Sequence, residues 1–142
     1  MPARTRTRAT PAPAARPAAR RRAPAVAPKA SFRLRITAGE LVAIGPGKIA
    51  LLESIARTGS LTAAAKLLDM SYRRAWVLLD EVNRSLREPA VASSKGGSRG
   101  GGSELTEPGR RLISLYRHIE STALQTCAGE LREMFALLAT GA

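Results

Sequence analysis

The sequence holds one cysteine, Cys127, and one histidine, His118, and aromatic residues make up only 4% of its 142 residues. A lone thiol cannot close an internal disulfide, and no His/Cys cluster has the spacing of a zinc site. The same scarcity removes a nucleophile–base pair, because the single thiol and the single imidazole lie at non-adjacent positions of one helical segment. Gly45-Pro46-Gly47-Lys48 superficially resembles a phosphate loop, but the G-x-x-x-x-G-K-[ST] spacing fails and Ile49 stands where a hydroxyl is required. No metal, no cofactor and no catalytic residue are expected, hence no enzyme. No apolar run reaches the about 18 residues of a membrane span, and the Arg-rich start lacks the apolar core of a secretory signal. An organellar transit peptide is the competing reading of that start, but its prolines break the amphipathic helix such peptides form. A cytoplasmic protein without a membrane partner is favoured.

Positive charge is what the chain does have, and it is unevenly placed. Lys and Arg number 23 against 11 Asp and Glu, a net charge of +12. Residues 1–30 carry eight of the basic side chains (Arg4, Arg6, Arg8, Arg16, Arg20, Arg21, Arg22 and Lys29) and no acid, so only +4 remains for residues 31–142. The first segment is mostly Ala, Pro, Arg and Thr, too poor in large apolar groups to offset the entropy of ordering. A disordered basic arm is expected over residues 1–30. It either adds sequence-independent, salt-sensitive attraction to a polyanion or serves only as a solubility tail.

The remainder, residues 31–142, has the length of one domain. Ser31 to Thr37 alternates apolar and polar residues, with Phe32, Leu34 and Ile36 on one face, which predicts a half-buried strand. A first helix follows over about 46–57, stopped by Thr58-Gly59. Ser60 can cap a second helix whose short apolar face is Leu61, Ala64, Ala65 and Leu68. Asp69-Met70-Ser71 breaks the pattern, and Ser71 can cap a third helix running to about Arg87 with Ala75, Leu79, Val82 and Leu86 on its inner side. Two helices across a three-residue turn make a helix-turn-helix. Small Ala64 and Ala65 allow the tight crossing, and Asp69 is among the non-glycine residues that tolerate the left-handed turn.

Residues 90–94 and 103–106 can pair as strands around the glycine-rich run 95–102, so a hairpin wing is expected over about 90–106. The competing reading is a flexible linker, but the residues after it are too few for a second core. From Thr106 a helix is expected over about 107–139, with Leu112, Tyr116, Ile119, Ala123, Cys127, Leu131, Met134 and Leu138 in one stripe. Thirty helical residues span about 45 Å, against a radius of gyration of about 13 Å for a 100-residue domain. Pairing with a second subunit is the simplest cover for that stripe. The expected fold class is mainly α with a small β wing, a winged helix-turn-helix with a long C-terminal dimerisation helix.

Such a fold reads DNA with the start of its second helix. Ser71, Tyr72, Arg73 and Arg74 place a hydroxyl, a phenol and two guanidinium groups there, suited to guanine edges, thymine methyls and phosphates. Ser60 and Thr62 can hold phosphate, and Lys95 and Arg99 can reach the minor groove or a phosphate from the wing, unless they only solvate the loop tip. Trp76, beside Ala75 and Leu79, is expected to pack in the core, and Cys127 to be a packed thiol in the apolar stripe.

The segments Gly59-Ser60-Leu61-Thr62-Ala63-Ala64-Ala65-Lys66, Ser71-Tyr72-Arg73-Arg74-Ala75-Trp76, Glu81-Val82-Asn83, the run Gly96–Gly102 and Leu105-Thr106-Glu107-Pro108-Gly109-Arg110-Arg111-Leu112-Ile113 with Tyr116 are carried on residues 31–125. Together this stretch resembles the DNA-binding domain of the ModE family of molybdate-responsive transcription regulators, and more distantly the winged helices of LysR-type regulators. The resemblance implies a homodimer formed through the last helix that binds double-stranded, palindromic operator DNA in transcription regulation, with a link to molybdenum. The turn departs from the family in carrying Asp69 where glycine is usual, and the basic residues of the wing are placed a little differently. Full-length members continue into molybdate-binding domains, for which these residues leave no room, so no small-molecule effector is assigned. The alternative function is a protein-interaction module that docks a separate sensor or partner.

Overall fold

The computed structural model describes Ala12, residues 26–94 and residues 102–139. Most of the expected arm, and the wing tip that carries Lys95 and Arg99, lie outside the described residues. The elements run β1 (Ile36–Ala38), β2 (Leu41–Ile44), α1 (Pro46–Thr58), α2 (Leu61–Leu67), α3 (Tyr72–Ser85), β3 (Val91–Ser94), β4 (Gly102–Leu105), α4 (Glu107–Thr126) and α5 (Ala128–Ala136). This is a winged helix: a three-helix core, an antiparallel wing hairpin, and a helical extension.

Local chemistry sets the helix boundaries. Pro46 sits in the first turn of α1, where its missing N–H costs nothing. Gly59 ends that helix in the left-handed region (φ 76) and returns its N–H to the Ile55 carbonyl at 2.8 Å. Ser60 Oγ then accepts the Ala63 N–H at 3.0 Å, capping α2. In the turn that follows, Asp69 adopts φ 54, the one positive φ among the described non-glycine residues. The fully buried Ala64 and nearly buried Ala65 let α2 approach its neighbours closely.

The core gathers Leu51, Leu52 and Ile55 from α1, Leu61, Ala64 and Ala65 from α2, and Ala75, Leu78 and Val82 from α3, closed by Ala90, Val91 and Leu105 at the base of the wing. In α3 the deepest leucine is Leu78; Leu79 and Leu86 only flank the core. The helix ends at Ser85, two residues before its expected end.

Three features differ from expectation. The single strand over residues 31–37 is instead a hairpin, with β1 beginning only at Ile36 and turning through Gly39 (φ 63) into β2, which pairs Ala38 with Leu41. Among the described residues, 31–35 pair with no strand; Leu34 is half-buried there, and Phe32 and, in β1, Ile36 are exposed. The long helix breaks at Cys127 (φ −96, ψ 14), between the β-branched Thr126 and Gly129, both poor helix formers. Cys127 is half-buried at that break. Finally, Tyr116 does not belong to a free stripe. It packs inside with Ala43, Ile44 and Ile49, and its phenol donates to the Leu34 carbonyl at 2.9 Å. Burial pushes the phenol pKa up.

The base of the wing is held against both α3 and α4. Asn83 Oδ1 on α3 accepts the Ala90 N–H at 2.9 Å and the Val91 N–H at 3.4 Å. Gly109 in α4 lies so close to the wing that an added Cβ would sit 2.1 Å from the Ala90 carbonyl oxygen. Only glycine fits that approach.

Candidate nucleic-acid interface

The turn residue Ser71 is extended (φ −67, ψ 153), and its Oγ accepts the Arg74 N–H at 3.1 Å, so α3 starts at a defined place. From there the helical period sorts the side chains. Ala75, Leu78 and Val82 face the core, which turns Tyr72, Arg73, Trp76 and Val77 outward, where they line one shallow hollow. Arg74, about 100° further round the helix, lines a different hollow with Arg35, Pro46, Gly47 and Lys48. Beyond the Ser71 cap, the expected residues therefore divide between two faces: Tyr72 and Arg73 look straight out from α3, and Arg74 looks sideways over the start of α1.

Ser60 is half-buried and Thr62 exposed at the head of α2. In both serine caps the oxygen accepts, which leaves the hydroxyl hydrogen able to donate to a phosphate oxygen. No acidic residue stands in the first turn of α1, α2 or α3, so no carboxylate of their own first turns offsets the positive ends of these helices. The amine of Lys48 is not part of this surface. It is only 5% exposed, pairs with Glu81 on α3 at 2.9 Å and donates to the Val42 carbonyl. That pairing gives Lys48 and Glu81 a structural role.

Trp76 overturns the expectation of core packing. It is 51% exposed and stands one turn from Tyr72, itself 56% exposed. Adjacency to Ala75 misled, since neighbours on a helix differ by about 100°; the i,i+4 relation to Tyr72 carried the right signal. Val77 joins the same ridge and was not singled out by the sequence. Among the described residues no group of three or more His, Cys, Asp or Glu could hold a metal, and no buried side-chain nitrogen or oxygen lacks a partner. No described helix is long and apolar enough to cross a membrane.

Known proteins share this stretch. The chain is 40% identical over 95 residues to the molybdenum transport protein ModE of Azotobacter vinelandii, 65% of this chain and 35% of that protein. It is 39% identical over 97 residues to the transcriptional regulator ModE of Yersinia pestis, 66% of this chain and 37% of that one. Over this stretch the chain is similar to proteins named ModE. The DNA-binding transcriptional dual regulator ModE of Escherichia coli K12 matches at 42% identity over 71 residues, 50% of this chain and 27% of that protein. No protein-family model matches the chain. The chain spans about a third of the length of the ModE relatives it matches.

Proposed function

We propose that this ModE-type domain is the DNA-reading part of a transcription regulator that works as a homodimer on double-stranded DNA. The observation that carries the reading is the outward face of α3, where Tyr72 and Arg73 project from the head of the second helix of a helix-turn-helix. Laid in a major groove, that end brings the Arg73 guanidinium to guanine N7 and O6 and Tyr72 to an adjoining base or phosphate. Ser71 and Arg74 work at the edge of the groove, and Ser60 and Thr62 bind phosphate through the positive end of α2. Lys95 and Arg99 flank the site through the wing, a role assigned from sequence position alone. The basic arm adds unspecific attraction.

The dimer rests on the last helices. Past Tyr116 the apolar residues Ile119, Met134, Leu137 and Leu138 are exposed, and α5 buries none of its residues in the domain. A second copy would cover them. The similarity to the molybdenum transport protein ModE of Azotobacter vinelandii makes genes of molybdenum handling the first targets to examine. Calorimetric titration with molybdate tests whether the oxyanion is sensed.

Titration against random duplex DNA at low and high salt tests the reading as a whole. Binding that weakens with salt is expected; no binding at low salt refutes it. Arg73→Ala should weaken a selected duplex by about 1–3 kcal/mol and relax base preference, whereas Arg74→Ala should weaken all duplexes alike and flatten the salt slope by about 0.9. The alternative, a module that docks a partner protein, is favoured by one observation. Between the end of α3 and the start of α4, Leu86, Pro108, Leu112 and Leu115 line an open, mostly apolar hollow.

A further inference from the structure

The outward ridge of α3 carries more apolar surface than a solvated helix face needs. Tyr72 and Trp76 stand one turn apart and are each more than half exposed, with Val77 and the Arg73 side chain completing the same hollow. Adjoining large aromatics held in water mark a contact surface.

The charges around the ridge narrow what it contacts. Arg73 sits within the apolar patch, and no acid stands in the first turn of α3. The first acid along this face is Asp80, a turn past Trp76, and it is paired with Arg84 at 3.2 Å. A fitting partner presents hydrogen-bond acceptors beside small apolar groups. The floor of the major groove has that combination, because guanine N7 and O6 accept from arginine and the thymine 5-methyl is an apolar group displayed on a base edge.

We infer that Trp76, supported by Tyr72 and Val77, covers thymine methyl groups next to a base met by Arg73, which makes Trp76 a specificity-determining residue of the reading helix. The inference rests on the DNA-binding reading above and deepens it. It places the Trp76 indole where each covered methyl leaves water, and it assigns the ridge a preference for thymine that Arg73 alone would not supply.

The test begins with selection of preferred duplexes from a random library by the full chain. Each thymine of the selected duplex is then replaced in turn by deoxyuridine, which removes only the methyl group. For the wild-type protein, one or two replacements should weaken binding by about fourfold each, the equivalent of ~0.8 kcal/mol for one methyl-sized group leaving water. Trp76→Ala should abolish that sensitivity while binding a scrambled duplex as the wild type does. Indifference of the wild type to every replacement, with its preference for the selected duplex intact, overturns this inference alone. If no duplex is preferred over a scrambled one, the DNA-reading assignment fails and the inference with it. If Trp76→Ala lowers self-association in sedimentation equilibrium yet keeps the deoxyuridine sensitivity, the ridge belongs to a contact between copies and the inference is overturned.

Discussion

The head of α4 and the stretch from Ile119 through α5 have the same kind of sequence and opposite surroundings. At the head, Thr106 Oγ1 caps the helix by accepting the Gly109 N–H at 3.2 Å, Gly109 presses on the wing, and Tyr116 is 2% exposed in the core. Past Ile119 the leucines, methionine and phenylalanine continue at helical spacing, yet none is buried. Apolar periodicity therefore reports that a face will be covered and is silent on whether the cover comes from the same chain. What separates the two stretches is their specific chemistry: a hydroxyl cap, a glycine at a close approach and a phenol with a backbone acceptor stand at the head, and nothing comparable stands in the tail.

Substitutions along this helical extension should grade from severe to silent. Gly109→Ala is expected to cost the most, about 3 kcal/mol, at the upper end of overpacking, since its Cβ would collide with the Ala90 carbonyl; urea unfolding measures it, and a loss under 1 kcal/mol would break the contrast. Tyr116→Phe removes the bond to Leu34 and should cost about 1 kcal/mol. This site also gives a pH signature. The folded phenol pKa is raised above its usual 10.0, first by burial, so its stabilisation is complete below that value and is lost as pH rises through the folded pKa. The Phe variant should lack that alkaline component in thermal melts at pH 9 to 11.

Arg117→Ala comes next. Its guanidinium bonds to Glu53 on α1 at 3.0 Å and to Glu120 at 2.6 Å, but it is nearly half exposed. Solvent and salt screen such a pair, so about 0.2–1 kcal/mol is expected, shrinking in high salt. Met134→Asp, in the tail, should leave the unfolding free energy of the dilute monomer within about 0.5 kcal/mol of wild type while abolishing the proposed dimer in sedimentation experiments. A large loss of monomer stability there would show that the tail packs within its own chain.

Features written in neighbouring residues are legible in the sequence. Gly59 stopping α1, Ser60 and Ser71 capping α2 and α3, Asp69 turning left-handed and Thr106 opening α4 are each decided within about four residues. The winged helix followed from these together with the position of the glycine-rich run. Features that depend on distant partners were not legible. β2 was missed because four residues between a turn and a glycine carry little periodic signal. The break at Cys127 was hidden by a stripe that continues across it. Gly109 was quoted as part of a motif, but its reason, the backbone of Ala90, lies in another element. In the candidate interface, Ser71, Tyr72 and Arg73 stand at the exposed head of α3 as expected, Arg74 faces a different way, and Trp76 lies outside because the inner arc centres on Ala75, Leu78 and Val82.

The carboxamide of Asn83 joins α3 to the first residues of the wing. On the DNA-reading proposal, a helix and a hairpin tethered in this way would meet a duplex as one preset caliper, their separation established during folding. Less ordering entropy then opposes association at each encounter. Loosening that amide would remove one of the bonds that hold the helix and the hairpin in register.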